Sequence, residues 1–140
     1  RYAKDKRFIA ALAFGKVKNS AVLLEHKPHR LKLEDICVYK EEISPDLKRV
    51  IKAASYAPSC MNSQPWRFVV YRNRIHIFLK KDRIIKRLFH SEQLIDIGFM
   101  LSNLLMEAEN LWLITRIEYV DEVMEKPVKG YEYISSIVIE

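Results

Sequence analysis

A polar, proline-bearing stretch between two regular elements is the feature that most limits how this 140-residue chain can fold. Residues 57–68, here called the polar segment, read APSCMNSQPWRF and lie between a helical pattern and a β-rich run. Connections between elements have a median length of roughly 4–6 residues, so this one is long. Pro58 and Pro65 stiffen it, and its serine, asparagine and glutamine side chains can form hydrogen bonds. The polar segment is therefore either a plain connecting loop or one wall of a binding site.

The helix before the polar segment has a clear start and a clear end. Ser44 is a good N-cap, Pro45 suits the first helical position, and Asp46 suits the positive end of the helix dipole. Apolar residues then recur at i, i+3, i+4 and i+7 spacing, which predicts one buried face. Pro58 disfavours helical geometry at Ala57, so the helix is predicted to end just before that residue.

Two short β-rich runs follow the polar segment. Arg67–Tyr71 and Ile75–Leu79 are separated by a turn centred on Asn73, which tolerates left-handed geometry, so a hairpin is predicted. A second helix is predicted over residues 92–110, with Ser91 as its cap. Its apolar residues cover most of its circumference, which indicates a helix that is buried on several sides.

Further strand candidates lie towards both ends of the chain. Residues 7–14 (RFIAALAF) read as a buried strand, although the alanines leave a helix open. Residues 16–35 read as a connector, with a helical turn near 32–37, and Leu113–Val120 and Glu132–Ile139 are the last two strands. This order of elements predicts an α+β fold with a mainly antiparallel sheet and a buried central helix.

The bulk properties exclude several classes of protein. Hydrophobic residues make up 49% of the chain and charged residues 30%, a balance that is typical of a globular domain. No apolar run reaches the roughly 18 residues of a membrane span. The two cysteines lie far apart in sequence and indicate a reducing, cytoplasmic setting. The four histidines form no convincing ligand set, so no metal site is predicted.

The net charge of +6 is concentrated in residues 72–87 (RNRIHIFLKKDRIIKR). The simplest interpretation is a hairpin whose turn and edge are kept soluble by arginine and lysine. A site for a phosphate-bearing ligand is the main alternative. Nucleic acid is disfavoured as a partner, because no known DNA- or RNA-binding motif accompanies the charge.

The polar segment and the elements around it resemble the nitroreductase family of flavin enzymes. That family carries the pattern AxxAPSxxNxQPWxF at the end of a helix, and the later Ile95–Gly98 (IDIG) resembles part of its central helix. The resemblance covers roughly residues 40–140. It implies an α+β sandwich, usually an intertwined homodimer, with FMN at the interface between the subunits. The residues that match the pattern are Ala54, Ala57, Pro58, Ser59, Asn62, Gln64, Pro65, Trp66 and Phe68.

The resemblance also implies a reaction and a set of cofactor contacts. NAD(P)H delivers a hydride to FMN, which passes it to a small-molecule acceptor such as a nitroaromatic or a quinone. Trp66 is expected to anchor the polar segment in the core rather than to stack on the flavin. No acid–base pair is required, and Cys60 has no identifiable histidine partner, so no catalytic residue is assigned. The residues expected to bind the cofactor are Pro58, Ser59, Cys60, Asn62, Gln64 and Arg67.

The family's usual phosphate-binding arginines are missing from their expected position. The corresponding stretch here is Leu33–Ile36, which contains two acids. Either Arg67, Arg30 or lysines of a second subunit replace them, or the chain is the second half of a fused two-copy protein. In that case residues 1–30 are a strand and connector at the tail of the first half, and residues 31–140 form the nitroreductase-like domain. The alternative function is a degenerate binding or assembly module without activity of its own.

Overall fold

The computed structural model describes residues 29–81, 83–126 and 128–140, together with Gly15. They form a five-stranded sheet with the strand order β1-β2-β3-β5-β4. The β1–β2 pair is parallel and the other pairs are antiparallel, which confirms the predicted α+β class and mainly antiparallel sheet. In chain order the elements are α1 (Leu33–Ile36), β1 (Cys37–Tyr39), α2 (Pro45–Ser55), β2 (Trp66–Tyr71), β3 (Arg74–Lys80), α3 (Arg83–Asn110), β4 (Thr115–Glu118), α4 (Asp121–Met124) and β5 (Tyr131–Ile139).

Helix α2 begins and ends where the sequence predicts. The Ser44 hydroxyl oxygen accepts a hydrogen bond from the Leu47 backbone N–H at 3.1 Å, and proline occupies the first helical position. This cap satisfies one of the backbone donors that a helix start leaves unpaired. The predicted apolar face is buried in the core, where Val50, Ile51 and Ala54 are fully enclosed.

Strands β2 and β3 form the predicted hairpin, with Trp66 opposite Leu79. Buried and half-buried side chains alternate along β2, as expected for a strand with two different faces. Trp66, Phe68 and Val70 belong to the core that the sheet shares with α2 and α3. Arg67 therefore points to the opposite face of the sheet.

Helix α3 is longer than the sequence predicted. It ends at Asn110 as expected, but it begins at Arg83 rather than after Ser91. The prediction was wrong because Ser91 has the residue type of a cap without being one. Residues 83–90 contain neither glycine nor proline, and extending a helix is easier than starting one.

One side of α3 packs against α2 and the core, as expected for the central helix of this fold, but the predicted burial on several sides is not found among the described residues of this chain. Apolar side chains on its other sides are exposed in this chain, including Leu94 at 45% and Phe99 at 46%. None of the described helices combines the length and the apolar character that crossing a membrane requires. The buried row of α3 consists of Ile97, Met100, Leu104 and Ala108.

The remaining elements agree in part with the sequence. The helical turn near residues 32–37 is present as α1, and the last two predicted strands are present as β4 and β5. Strand β1 and the short helix α4 were not predicted, because three or four residues are too few for a clear periodic pattern. The predicted strand over 7–14 lies outside the described residues. The domain boundary near residue 30 stays a prediction.

The sheet face that points away from α2 and α3 carries a buried chain of polar groups. His76 Nδ1 lies 2.6 Å from Ser136 Oγ, which lies 2.7 Å from the Tyr133 hydroxyl. That hydroxyl accepts a hydrogen bond from the Val120 backbone N–H at 3.0 Å. The chain therefore links β3, β5 and the start of α4.

Burial, reinforced by the positive charge of Arg74, lowers the pKa of His76 below its ordinary value of 6.5. Unfolded His76 binds a proton more readily than folded His76, so its contribution to stability is lost as the pH falls below that ordinary value. We expect the free energy of unfolding to fall between about pH 7.5 and about pH 5.5, and to fall less in His76→Gln. Urea denaturation at both pH values measures this difference. Equal pH dependence of the two proteins would contradict the prediction.

Candidate functional site

The polar segment makes a strained, left-handed turn after α2. Met61, Asn62 and Gln64 have positive φ angles of 52°, 53° and 45°. Such a conformation costs of order 1–3 kcal/mol for a residue other than glycine, although asparagine tolerates it better than most residues. It persists only where surrounding contacts hold it in place. The polar segment has such contacts on two sides.

Arg30 holds the polar segment on one side. Its Nη1 donates to the Ala57 carbonyl oxygen at 3.0 Å and to the Asn62 side-chain oxygen at 3.1 Å. Its Nη2 donates to the Tyr56 carbonyl oxygen at 3.0 Å, at the negative end of the α2 dipole. The Asn62 side-chain NH₂ donates in turn to the His29 carbonyl oxygen at 2.8 Å. A single guanidinium thus ties the end of α2 to the left-handed turn.

Gln64 is buried, with an exposed fraction of 2%. Its side-chain oxygen accepts a hydrogen bond from the Leu31 backbone N–H at 2.9 Å, and its side-chain NH₂ donates to the His29 carbonyl oxygen at 3.2 Å. Its own backbone N–H donates to Ser59 Oγ at 2.9 Å. Gln64 therefore supports the turn. The Ser59 hydroxyl hydrogen donates to no group in the described part of the chain, so it can serve a ligand.

Asp96 of α3 holds the polar segment on the other side. Both of its carboxylate oxygens accept from the Cys60 backbone N–H, at 3.1 and 3.0 Å. Burial raises the pKa of Asp96; the Cys60 hydrogen bond opposes this effect and the negative charge of Glu92 reinforces it. The Cys60 N–H is directed at α3 and is therefore used within the protein rather than offered to a ligand.

A cavity of about 310 Å³ opens between the polar segment and α3. One wall brings together three of the predicted cofactor residues, and the other wall is formed by α3. A stiff proline, a hydroxyl donor and apolar side chains suit a flat heteroaromatic ring such as that of FMN. Two carboxylic acids in the lining do not suit its phosphate. The lining residues are Pro58, Ser59, Cys60, Glu92, Ile95, Asp96 and Phe99.

The other three predicted cofactor residues lie outside this cavity. Asn62 and Gln64 direct their side chains to the backbone of residues 29–31. Arg67 lines a second cavity of about 240 Å³, together with Glu34 and Asp35. Its Nη1 donates to the Gln64 carbonyl oxygen at 3.0 Å. The structure thus places Arg67 beside two acids. Arg30 is the other candidate for binding a phosphate, and its Nη groups are hydrogen-bonded to the polar segment.

Sequence reasoning missed the roles of Asp96 and Arg30. Asp96 gave a signal, because it lies between two isoleucines on the inner side of a helix, where a carboxylate needs a partner. Arg30 gave no local signal, since its hydrogen-bond partners lie 26 to 32 residues further along the chain.

A five-stranded α+β arrangement with a buried central helix, and with a clamped polar turn between α2 and β2, defines a nitroreductase-type fold. Residues 1–108 match the family model described as "Putative TM nitroreductase". The chain belongs to this family, which confirms the resemblance seen in its sequence.

Solved structures share this fold. A nitroreductase from Desulfovibrio desulfuricans, in complex with FMN, is 18% identical with a TM-score of 0.57, and the match covers 71% of this chain and 75% of that one. A nitroreductase from Thermotoga maritima is 14% identical with a TM-score of 0.52, and the match covers 82% of this chain but 44% of that one. At these identities the likeness concerns the fold alone.

A curated relative gives a closer match over a shorter stretch. The protein named "Putative NAD(P)H nitroreductase acg", from Mycobacterium tuberculosis, is 37% identical over 59 residues. These residues are 41% of this chain and 18% of the relative. The chain therefore matches a small part of that relative's length.

Proposed function

We propose that the protein is an FMN-dependent oxidoreductase that passes a hydride from NAD(P)H to a small-molecule acceptor such as a nitroaromatic or a quinone. The observation that carries this proposal is the clamped wall Pro58–Cys60, which faces α3 across a cavity. Family membership supports the class of reaction. The FMN complex of the Desulfovibrio protein supports the cofactor, and the name of the Mycobacterium relative supports the reductant.

The residues of this chain contribute binding and orientation. FMN, when bound, supplies the hydride chemistry. Pro58 gives the ring a stiff wall, so little ordering entropy is lost on binding. The Ser59 hydroxyl can donate to a ring heteroatom. Ile95 and Phe99 add apolar surface that excludes water from the ring. No side chain is assigned as an acid or a base.

The phosphate of FMN needs cationic groups, and the described residues that line this cavity include none. Glu92 and Asp96 line it, and the Nη groups of Arg30 are bound to the polar segment. We therefore propose that a second nitroreductase-like unit supplies the cations, either as another copy in a homodimer or as a fused half.

Phe99→Ala is expected to weaken FMN binding by about three- to tenfold, because it removes half-exposed apolar surface from the cavity wall. Quenching of flavin fluorescence during titration of the full-length protein measures the affinity. Met106→Ala is the matched control, since Met106 lies on the same helix, is 61% exposed and is absent from the cavity lining. Equal affinity of the two variants would show that the cavity does not hold the flavin ring.

A degenerate binding or assembly module is the second candidate function. Glu34 and Asp35 favour it, because they lie where the family resemblance leads us to expect arginines. The full-length protein should be yellow if the oxidoreductase proposal holds. A colourless protein that also fails to take up added FMN would support the degenerate binding or assembly module instead.

The proposal does not include nucleic acid as a partner. Within the described part of the basic stretch, Arg74 lies 3.7 Å from Glu118 and Lys81 lies 3.8 Å from Glu132. These pairings support the interpretation of a solvated hairpin. We also propose a cytoplasmic location, which the unpaired thiols of Cys37 and Cys60 support.

A further inference from the structure

We propose that Asp96 is the positioning residue of the flavin-facing wall, which it shapes by holding the Cys60 backbone N–H. The inference rests on the proposed function, because it assigns a role toward the same cofactor. Asp96 lies in the cavity lining, but its two oxygens are directed at the backbone of the opposite wall. It therefore acts on the ligand through the wall.

Arg30 and Asp96, here called the two clamps, bind different parts of the polar segment. Arg30 binds the carbonyl oxygens of Tyr56 and Ala57 and the side chain of Asn62, which lie before and after the wall. It forms no hydrogen bond to residues 58–60 themselves. Asp96 binds in the middle, at Cys60, where the left-handed turn begins. The position of the wall relative to α3 is therefore set at Asp96.

Asp96 is well placed to fix the distance between the wall and α3. It belongs to a 28-residue helix, and the next residue, Ile97, is buried in the core. Asp96 is itself buried, with 5% of the residue exposed. Sites built on such rigid elements hold a ligand-binding wall more accurately than mobile loops do.

The carboxylate form is a poor choice for stability alone. Burial and the charge of Glu92 both disfavour the ionised form of Asp96 and raise its pKa. An asparagine of the same shape would carry no buried charge, but it could accept from the Cys60 N–H through one oxygen only, with its NH₂ group in place of the second acceptor. A carboxylate, however, makes the stronger, charge-assisted hydrogen bond. The two oxygens of the Asp96 carboxylate are therefore expected to hold the wall more firmly than an amide would.

This reasoning predicts that Asp96→Asn changes binding more than stability. Its unfolding midpoint at neutral pH should change little, because removal of the buried charge offsets the NH₂ group placed beside the Cys60 N–H. Its FMN affinity should fall by about three- to tenfold, because a neutral hydrogen bond holds the wall less firmly. Hydrogen exchange at the Cys60 amide of the unliganded protein, followed by NMR, should become faster. Asp96→Ala, which lacks any acceptor, should lose about tenfold or more in affinity.

The control variant is Asp121→Asn, which removes one negative charge from the exposed helix α4. It should leave the affinity and the Cys60 exchange rate unchanged. All measurements use the full-length protein, with FMN titration, thermal denaturation and hydrogen exchange on the same samples.

Results that differ from these expectations overturn either the inference about Asp96 or the proposed function. Unchanged FMN affinity in both Asp96 variants, with a wild type that binds FMN, overturns the inference and leaves the proposed function standing. Affinity and stability that fall together in Asp96→Asn assign Asp96 a purely structural role and also overturn it. A wild type that does not bind FMN overturns the proposed function, and the positioning role with it.

Discussion

Replacing Trp66 with alanine is expected to lower the free energy of unfolding by about 3–5 kcal/mol. Trp66 is fully buried at the junction of the polar segment and β2, which confirms its predicted role as a core anchor. It lies opposite Leu79 and joins the core formed with α2 and α3. Removing the indole leaves a cavity that these rigid neighbours cannot close. Urea denaturation at constant pH measures the loss.

Trp66→Phe separates packing from hydrogen bonding. The indole N–H of Trp66 finds no hydrogen-bond partner among the described residues. Phenylalanine therefore gives up some packing volume and no hydrogen bond, and it should cost less than half as much as alanine. A phenylalanine variant as unstable as the alanine variant would show that the indole N–H has a partner in the folded protein.

Arg30→Ala has the second largest expected effect. We expect a loss of about 2 kcal/mol in the free energy of unfolding, together with at least a tenfold loss of FMN affinity. The guanidinium makes three hydrogen bonds, and without them the carbonyl oxygens of Tyr56 and Ala57 lose their charged donor. The positive φ angles of Met61 and Asn62 then lose part of the support that offsets their strain.

Two further variants separate the effect of the Arg30 charge from the effect of its forked hydrogen bonds. Lys32→Ala removes a neighbouring exposed positive charge and should change stability and affinity little. Arg30→Lys keeps the charge but replaces a planar fork by a single ammonium group, so it should recover only part of both losses. Full recovery by lysine would show that charge alone holds the turn, which contradicts the forked arrangement.

The local signals in the sequence predicted most of the fold. Ser44, Pro45 and the apolar spacing that follows them located α2, because capping and periodicity depend on neighbouring residues. The hairpin was predicted for the same reason, since turn chemistry and alternation are local. The start of α3 was predicted incorrectly because Ser91 satisfies the same local rule inside a helix as at its start. Local patterns thus identify elements better than they identify boundaries.

The candidate site was predicted less well, because its side chains act over long distances in sequence. Pro58, Ser59 and Cys60 line one cavity together, and their predicted contact with a cofactor stays a prediction. Asn62 and Gln64 have the right chemistry for a ligand, yet they bind the Arg30 guanidinium and the backbone of residues 29 and 31. Packing determines the hydrogen-bond partner of a polar side chain, and residue spacing in the sequence does not predict that partner.

The two clamps also place the site in the order of folding. Their hydrogen bonds join residues that are 26 to 36 positions apart along the chain, from Arg30 to Tyr56 and from Cys60 to Asp96. Contacts at such separations require large loops to close, so we expect them to form after the neighbouring hairpin and helices. The left-handed turn can therefore be stable only when three separate parts of the chain have already docked. We therefore expect binding at this wall to require the completed fold.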